Sequence, residues 1–362
     1  MNEFDDLFDK KKPEEPEKPK QDGVEDFYFQ ANLQRRNGFL LLIYIGVLLV
    51  FSIITQIYYS YKYSDTDQIV ANIVVINNLQ VDVTPNEDTD YPFRISMTGA
   101  LLNNSGIDLP QMWIEVEFYD ADENSLGVYN YSDTDIADGE VMSFDESVLA
   151  DFNPDSYAFR YGFDESSMFY TLIGFLPVFI SGLLFLIVDW QAFSYDWQRF
   201  RKRLGPMIGQ VILGFVMVYA ALILAQIILN ELNVSGTSQN EMTIQGLFDA
   251  NPLQIVMLFL LLCVFTPITE EIIFRKVLYN FVQPRTGHAV AIIISGAVFG
   301  LMHVITYRDF IQSIPYIFMG MTFGYIYYRS QKNIFVVMGV HFLNNLLSFV
   351  IYALMAYGVS IL

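Results

Sequence analysis

Seven stretches of the chain stay apolar for about the 20 residues that a helix needs to cross a hydrocarbon core. They are Gly38–Ser60, Met168–Trp190, Pro206–Leu229, Pro252 to about Phe281, Ala289–Thr306, Phe310–Tyr328 and Phe335 to about Leu354. The fourth carries Pro267 and two glutamates, which predicts a kinked or partly re-entrant segment. Between the first and second stretches the period changes from helical to two. Ile69–Val83, Phe93–Leu102, Met112–Tyr119, Val141–Val148 and Tyr157–Phe163 mix β-branched, aromatic and polar residues in near alternation, which predicts short strands. Turn clusters at Asn103–Gly106 and Asp120–Asn124 separate them. The pattern predicts an all-α polytopic membrane bundle of about seven transmembrane helices with an inserted extracytoplasmic β-sandwich domain.

Composition sharpens this division. Of 362 residues, 53% are hydrophobic and 17% charged, against roughly 25% charged in an ordinary soluble domain. The net charge is nevertheless -20, so the acid is gathered outside the apolar stretches. Residues 61–165 hold 22 acidic and 3 basic side chains. Such a block repels nucleic acid. The single cysteine, Cys263, sits in an apolar run, which excludes an intrachain disulfide and a cysteine metal site.

The expected organisation is a disordered cytoplasmic tail at 1–37, where Lys, Glu and Pro alternate, and a first transmembrane helix at 38–60. An acidic extracytoplasmic domain follows at 61–165, then a second helix with a basic loop at 166–205, and a membrane domain at 206–362. Arg35, Arg36, Arg199, Arg201, Lys202, Arg203, Arg275, Lys276, Arg285, Arg329 and Lys332 then fall on one face of the bilayer. By the positive-inside rule that face is cytoplasmic. The expected location is a cell membrane, crossed several times, with the N-terminus inside and the acidic domain outside. In that domain Asp120, Asp122 and Asn124 alternate like the first calcium ligands of an EF-hand. Ser125 and Tyr131 occupy the positions that need Gly and Glu, so a solvated acidic surface is the better reading.

Ionisable side chains inside the bilayer are costly, and they usually face a cavity or one another. The chain has three histidines. His303 and His341 fall inside apolar helices, and Glu270 and Glu271 place acid in the body of a span. Glu271 and Arg275 are spaced i, i+4 with the acid toward the N-terminus, the favoured ion-pair order. Glu270 points about 100° away on the same helix. Phe299 lies one turn before His303, and His341 shares a face with Asn345. Gly296-x-x-x-Gly300 and Gly320-x-x-x-Gly324 offer small faces for close helix packing.

Amide hydrolysis needs a water, a base, an acid for the leaving nitrogen and donors for the oxyanion. Glu270 and His303 are candidates to hold and deprotonate the water. His341 and Asn345 are candidates to supply N–H donors, with Glu271 and Arg275 as structural support. No Ser-His-Asp or Cys-His set competes in the membrane helices.

Glu-Glu-x-x-x-Arg at 270–275, Phe-x-x-x-His at 299–303 and His-x-x-x-Asn at 341–345 occur in that order on successive membrane helices. This arrangement resembles the CAAX-processing and bacteriocin-processing family, whose bacterial branch is also called the abortive-infection family. Its members include intramembrane glutamic endopeptidases. The resemblance covers roughly residues 206–354. It implies that Glu270 and His303 activate water, that His341 and Asn345 form the oxyanion hole, and that Glu271, Arg275 and Phe299 support the site. It implies neither cofactor nor metal, and it implies a peptide or membrane-protein substrate reached in the lipid bilayer. Lys276 stands where the family often has a small residue, and the external insert lies outside the family core. The alternative is a non-catalytic envelope protein, such as a bacteriocin self-immunity factor, that recognises an envelope partner through the external domain. Glutamate and histidine are also zinc-ligand types, but their spacing here matches no zinc motif.

Overall fold

In the computed structural model, the described residues are 21–358 without 64, 89, 235, 249 and 250. They fall into two compact units, one formed by 1–53 with 171–362 and the other by 54–170. The protein is a mostly helical, multi-pass membrane protein. Among the described residues, five helices are long and apolar enough to cross a bilayer: Arg36–Lys62, Ser167–Val188, Leu204–Glu231, Pro252–Thr286 and Ile334–Ala356.

Helix α1 spans Gln21–Lys62. The sequence pattern started it at Gly38 and assigned 1–37 to a tail. The backbone is already helical at Gln21, because no proline interrupts the chain between Pro19 and Pro85. Residues 1–20 lie outside the described residues. Asp65 then caps the short helix α2 (Thr66–Ala71), its side chain accepting from the Gln68 N–H at 3.1 Å. The first strand consequently starts at Ile73 and not at Ile69.

The 54–170 unit holds two three-stranded antiparallel sheets, ordered β1-β2-β5 and β4-β3-β6. The strands are β1 (Ile73–Pro85), β2 (Phe93–Asn103), β3 (Leu109–Tyr119), β4 (Ser125–Ile136), β5 (Val141–Ala150) and β6 (Ser156–Asp164). On β3 the period of two is explicit. Met112, Ile114, Val116 and Phe118 are buried while Glu115 and Glu117 face out. These side chains join Ile95, Met97 and Leu101 of β2 in one apolar cluster. The sequence pattern missed β4. It is an edge strand whose outward Ser, Asp and Thr residues read as loop, since only one of its faces needs to be apolar. The acidic turn 120–124 is closed internally. Asp120 Oδ1 accepts the backbone N–H groups of Asp122 at 2.9 Å and Asn124 at 2.8 Å.

The helical unit continues with α3 (Ser167–Val188), α4 (Trp190–Lys202), α5 (Leu204–Glu231) and α6 (Gln239–Gly246). A long helical stretch, α7 (Pro252–Thr286), leads into α8 (His288–Val304), α9 (Ser313–Arg329) and α10 (Ile334–Ala356). Helices α8 and α9 occupy the fifth and sixth apolar stretches. Each has 17 residues, about 26 Å at 1.5 Å per residue. They pack backbone to backbone: a Cβ on Gly296 would meet the Met321 N at 2.6 Å, and one on Gly300 the Ile317 N at 2.6 Å. Both contact positions come from the small-residue pattern.

Helix α7 is not uniform. Leu260–Phe265 and Ile272–Tyr279 are π-helical and flank an α-helical turn at Thr266–Glu271. Pro267 accounts for the first of these. In the π register the Thr266 N–H donates to the Leu261 carbonyl, so the Leu262 carbonyl would need an N–H from residue 267, which a proline lacks. Arg275 and Lys276, read from sequence as loop cations, lie buried in the second π segment. Lys276 Nζ is paired at 2.5 Å with Asp189 at the α3–α4 junction.

Candidate functional site

The two glutamates sit where α7 passes from its α turn into its second π segment. Glu271 is fully buried and makes two contacts: Oε2 lies 3.0 Å from Arg275 Nε, and Oε1 lies 2.8 Å from His341 Nδ1. Arg275 donates from Nη2 to the Gly320 carbonyl at 3.1 Å. Its guanidinium packs against the rings of Phe299 and Phe323 at 5.0 and 5.2 Å. A buried arginine is tolerable here because a carboxylate, a carbonyl and aromatic faces surround it.

Glu270 faces elsewhere, as the 100° step between neighbours requires. Its Oε2 lies 3.8 Å from His341 Nε2 and, among the described residues, has no hydrogen-bond partner. His341 therefore stands between the two adjacent glutamates, one on each ring nitrogen, with its ring stacked on Phe323 at 4.8 Å. The Nδ1 contact to a carboxylate fixes a proton on Nδ1, so the neutral ring leaves Nε2 as an acceptor.

His303 is held differently. Its Nδ1 lies 2.8 Å from the Phe299 carbonyl one turn back, which puts the proton on Nδ1 and the lone pair on Nε2. Phe299 at 4.6 Å and Tyr316 at 4.6 Å flank the ring. Asn345 donates to the Leu262 carbonyl at 2.9 Å and accepts from Asn344 Nδ2 at 3.1 Å. That is the carbonyl left over by Pro267 and the π register. One N–H of Asn345 is thus committed to the helix, and a primary amide has a second one for a ligand.

Glu270, His303, His341 and Asn345 all line one cavity of about 1580 Å³. The supporting residues Glu271, Arg275 and Phe299 are buried beside it. Sequence reasoning missed three contributors: the Gly320 carbonyl, Tyr316 against His303, and Tyr44 of α1, which lines the same cavity. Only folding brings them near the motifs, so no local spacing points to them. Among the described residues no three His, Cys, Asp or Glu side chains form a metal-ligand group.

The comparisons with known proteins fall on this same region. A family model for type II CAAX prenyl endopeptidases of the Rce1-like kind matches residues 252–347. This part of the chain is similar to the Rce1-like family. The matched segment contains α7, α8 and α9 whole, most of α10, and every motif residue described above. The chain is also 30% identical over 146 residues to a Bacillus subtilis protein, YdiL, described as a candidate membrane peptidase. That match spans 40% of this chain and 56% of the relative. No solved structure matches the chain.

Proposed function

We propose that the protein is a membrane-embedded glutamic endopeptidase that hydrolyses a peptide or membrane-protein bond with a water activated by Glu270 and His303. The observation that carries this reading is the buried Oε2 of Glu270, without a protein partner and 3.8 Å from His341 Nε2, in a cavity within membrane helices. Buried polar atoms are nearly always satisfied, and a cavity of this size has room for a water beside this one. A separation of 3.8 Å is too long for a hydrogen bond, which leaves the Glu270 oxygen free to accept from a water.

In this reading His303 Nε2 and Glu270 accept the protons of the bound water, and Glu270 removes one as the oxygen attacks the carbonyl carbon. The new oxyanion is met by the second N–H of Asn345 and by His341. His341 donates from Nε2 only when doubly protonated, and Glu270 is placed to hand it the proton just taken from water. That proton then goes to the departing nitrogen. Glu271 holds the His341 ring in position, and Arg275 balances the charge of Glu271. The reaction is written without a metal or cofactor.

The same reading takes α8 and α9 as two further crossings, giving seven. It takes the 54–170 unit as a small β-sandwich outside the cytoplasm. Arg199, Arg201 and Lys202 in the last turn of α4 support a cytoplasmic face there.

The test is cleavage of peptides by the purified full chain in lipid nanodiscs. Glu270→Gln and His303→Ala, at matched protein level, are expected to lower the rate by roughly 10²–10⁴. Full activity of Glu270→Gln ends the hydrolase reading.

A further inference from the structure

Beside His303 the same cavity carries a second polar group of residues that the proposed chemistry does not use. Ser238 caps α6, its Oγ accepting from the Glu241 N–H at 3.2 Å. The Glu241 side chain does not fold back to complete a capping box. It turns into the cavity, where the Tyr352 hydroxyl donates to Oε1. The Tyr316 hydroxyl lies 2.8 Å from the Ser238 hydroxyl and accepts from Asn240 Nδ2 at 3.3 Å, which ties it to the turn that carries Glu241.

No Lys, Arg or His among the described residues pairs with Glu241. Burial pushes the Glu241 carboxyl above the usual carboxylate range, and the neighbouring Tyr316 hydroxyl acts against that rise. An acid half-hidden in an apolar cavity without a cation is an electrostatic cost that a bound cation removes. The surroundings suit an organic cation, because the rings of Tyr352, Phe248 and Phe349 cluster here with centroids 5.6 Å apart. Aromatic faces beside a carboxylate are how proteins hold ammonium and guanidinium groups.

We propose that Glu241, held by Tyr352, is a cation subsite that binds the ammonium or guanidinium group of a substrate near its scissile bond. This deepens the peptidase reading and rests on it. Tyr316 sets the scale: its ring stacks on His303 at 4.6 Å and its hydroxyl reaches Ser238 and Asn240, beside Glu241 in the chain. The span from imidazole to carboxylate is then about two residues of extended chain, at roughly 3.3–3.6 Å each. The substrate class is an apolar peptide with one basic group one to three residues from the bond that is cut. A lysine or arginine side chain and a free N-terminal amine supply the same chemistry.

The probes are apolar Leu/Ala decapeptides carrying one lysine, its norleucine counterpart or its glutamate counterpart, each with a free or an acetylated N-terminus. The full chain in nanodiscs is expected to cleave the lysine peptide at least tenfold better in kcat/KM than the norleucine one. Glu241→Gln brings that ratio near one, and Glu241→Lys reverses the preference toward the glutamate peptide, an inversion that misfolding does not produce. Persistence of the preference in acetylated peptides assigns the side chain; its loss assigns the N-terminal amine. Binding of the same peptides to the Glu270→Gln protein, read by fluorescence anisotropy, separates the two proposals. Selective binding of lysine that vanishes with Glu241→Gln keeps the subsite even if no peptide is cut. Equal binding of lysine, norleucine and glutamate peptides overturns it, whatever the protein cleaves.

Discussion

His341 Nδ1 lies 2.8 Å from Glu271 Oε1, while the other nitrogen of the same ring lies 3.8 Å from Glu270. Two adjacent glutamates thus take different parts: one fixes the imidazole and the other faces the cavity. Their separation follows from the step of about 100° per residue at the end of the α-helical turn.

The fixing contact is open to test by Glu271→Gln. The amide keeps the shape but offers the ring a weaker acceptor and leaves Arg275 without its counter-charge. An activity loss on the order of 10²-fold or more is expected, as for an imidazole whose orienting carboxylate is removed. A stability loss of about 3–5 kcal/mol accompanies it, the cost of a buried unpaired charge. Peptide cleavage and thermal unfolding of the same preparation read the two effects. An unchanged melting temperature contradicts the buried-pair account.

Asn345→Ala is expected to affect stability as well as rate. It deprives the Leu262 carbonyl of the donor that replaces residue 267, and an unsatisfied buried acceptor costs about 1–3 kcal/mol. Combining it with Pro267→Ala returns a backbone N–H at residue 267. The double variant should regain part of the melting temperature while the rate stays low. If the double variant melts below both single variants, the link between proline, π segment and asparagine is wrong.

Close packing of α8 on α9 predicts that Gly300→Ala destabilises by about 1–3 kcal/mol, because the new methyl group meets backbone and neither helix can yield locally. Gly38→Ala is the control, since a Cβ there meets nothing within 4 Å. Thermal melts of the two variants in one detergent should separate clearly, and equal melts refute the close approach.

The 54–170 unit carries a pH dependence of its own. Burial alone would raise the Glu165 carboxyl, but hydrogen bonds from Lys62, Tyr63 and Tyr58, at 2.8, 2.6 and 2.8 Å, leave it below the usual value. A depressed folded-state value stabilises above the unfolded-state value of 4.5 and loses that contribution as pH falls through the folded value. Stability of this unit should therefore be flat from neutral pH to about 5 and should decline below 4.5. Near-UV circular dichroism during acid titration reads it. Glu165→Gln is expected to lose part of that decline, and an identical acid profile in the variant rules the contact out as its source.

Much of the fold was legible because its signals are local. An apolar run long enough to cross a bilayer fixes a helix, and alternation fixed β3 residue by residue. Other features were not. Strand β4 hides its pattern because an edge strand has one face in solvent, and helix α1 continues past the point where its apolar run begins. Lys276 read as a loop cation because nothing local announces the Asp189 carboxylate that makes its burial tolerable, whereas the i, i+4 spacing does announce Glu271 as the partner of Arg275. The depth of the site shows the same limit. Counted along straight helices from their predicted starts, His303 and His341 sit at different heights, yet both line the cavity with Glu270. The observed starts of α8 and α10, His288 and Ile334, lie within one residue of the predicted ones, so the two helices reach the cavity at different points along their own lengths.

By itself the sequence determined which side chains are expensive in lipid: two glutamates, two histidines and an arginine at helical spacing, whose desolvation cost demands that they find one another or water. Tertiary structure alone decided the pairings. It set His341 between Glu270 and Glu271, gave one N–H of Asn345 to a carbonyl that Pro267 had left open, and brought Glu241 and Tyr316 to the cavity that holds His303. Spacing along one helix constrains which residues share a face, whereas contacts between helices depend on how ridges, glycines and π turns let their backbones approach.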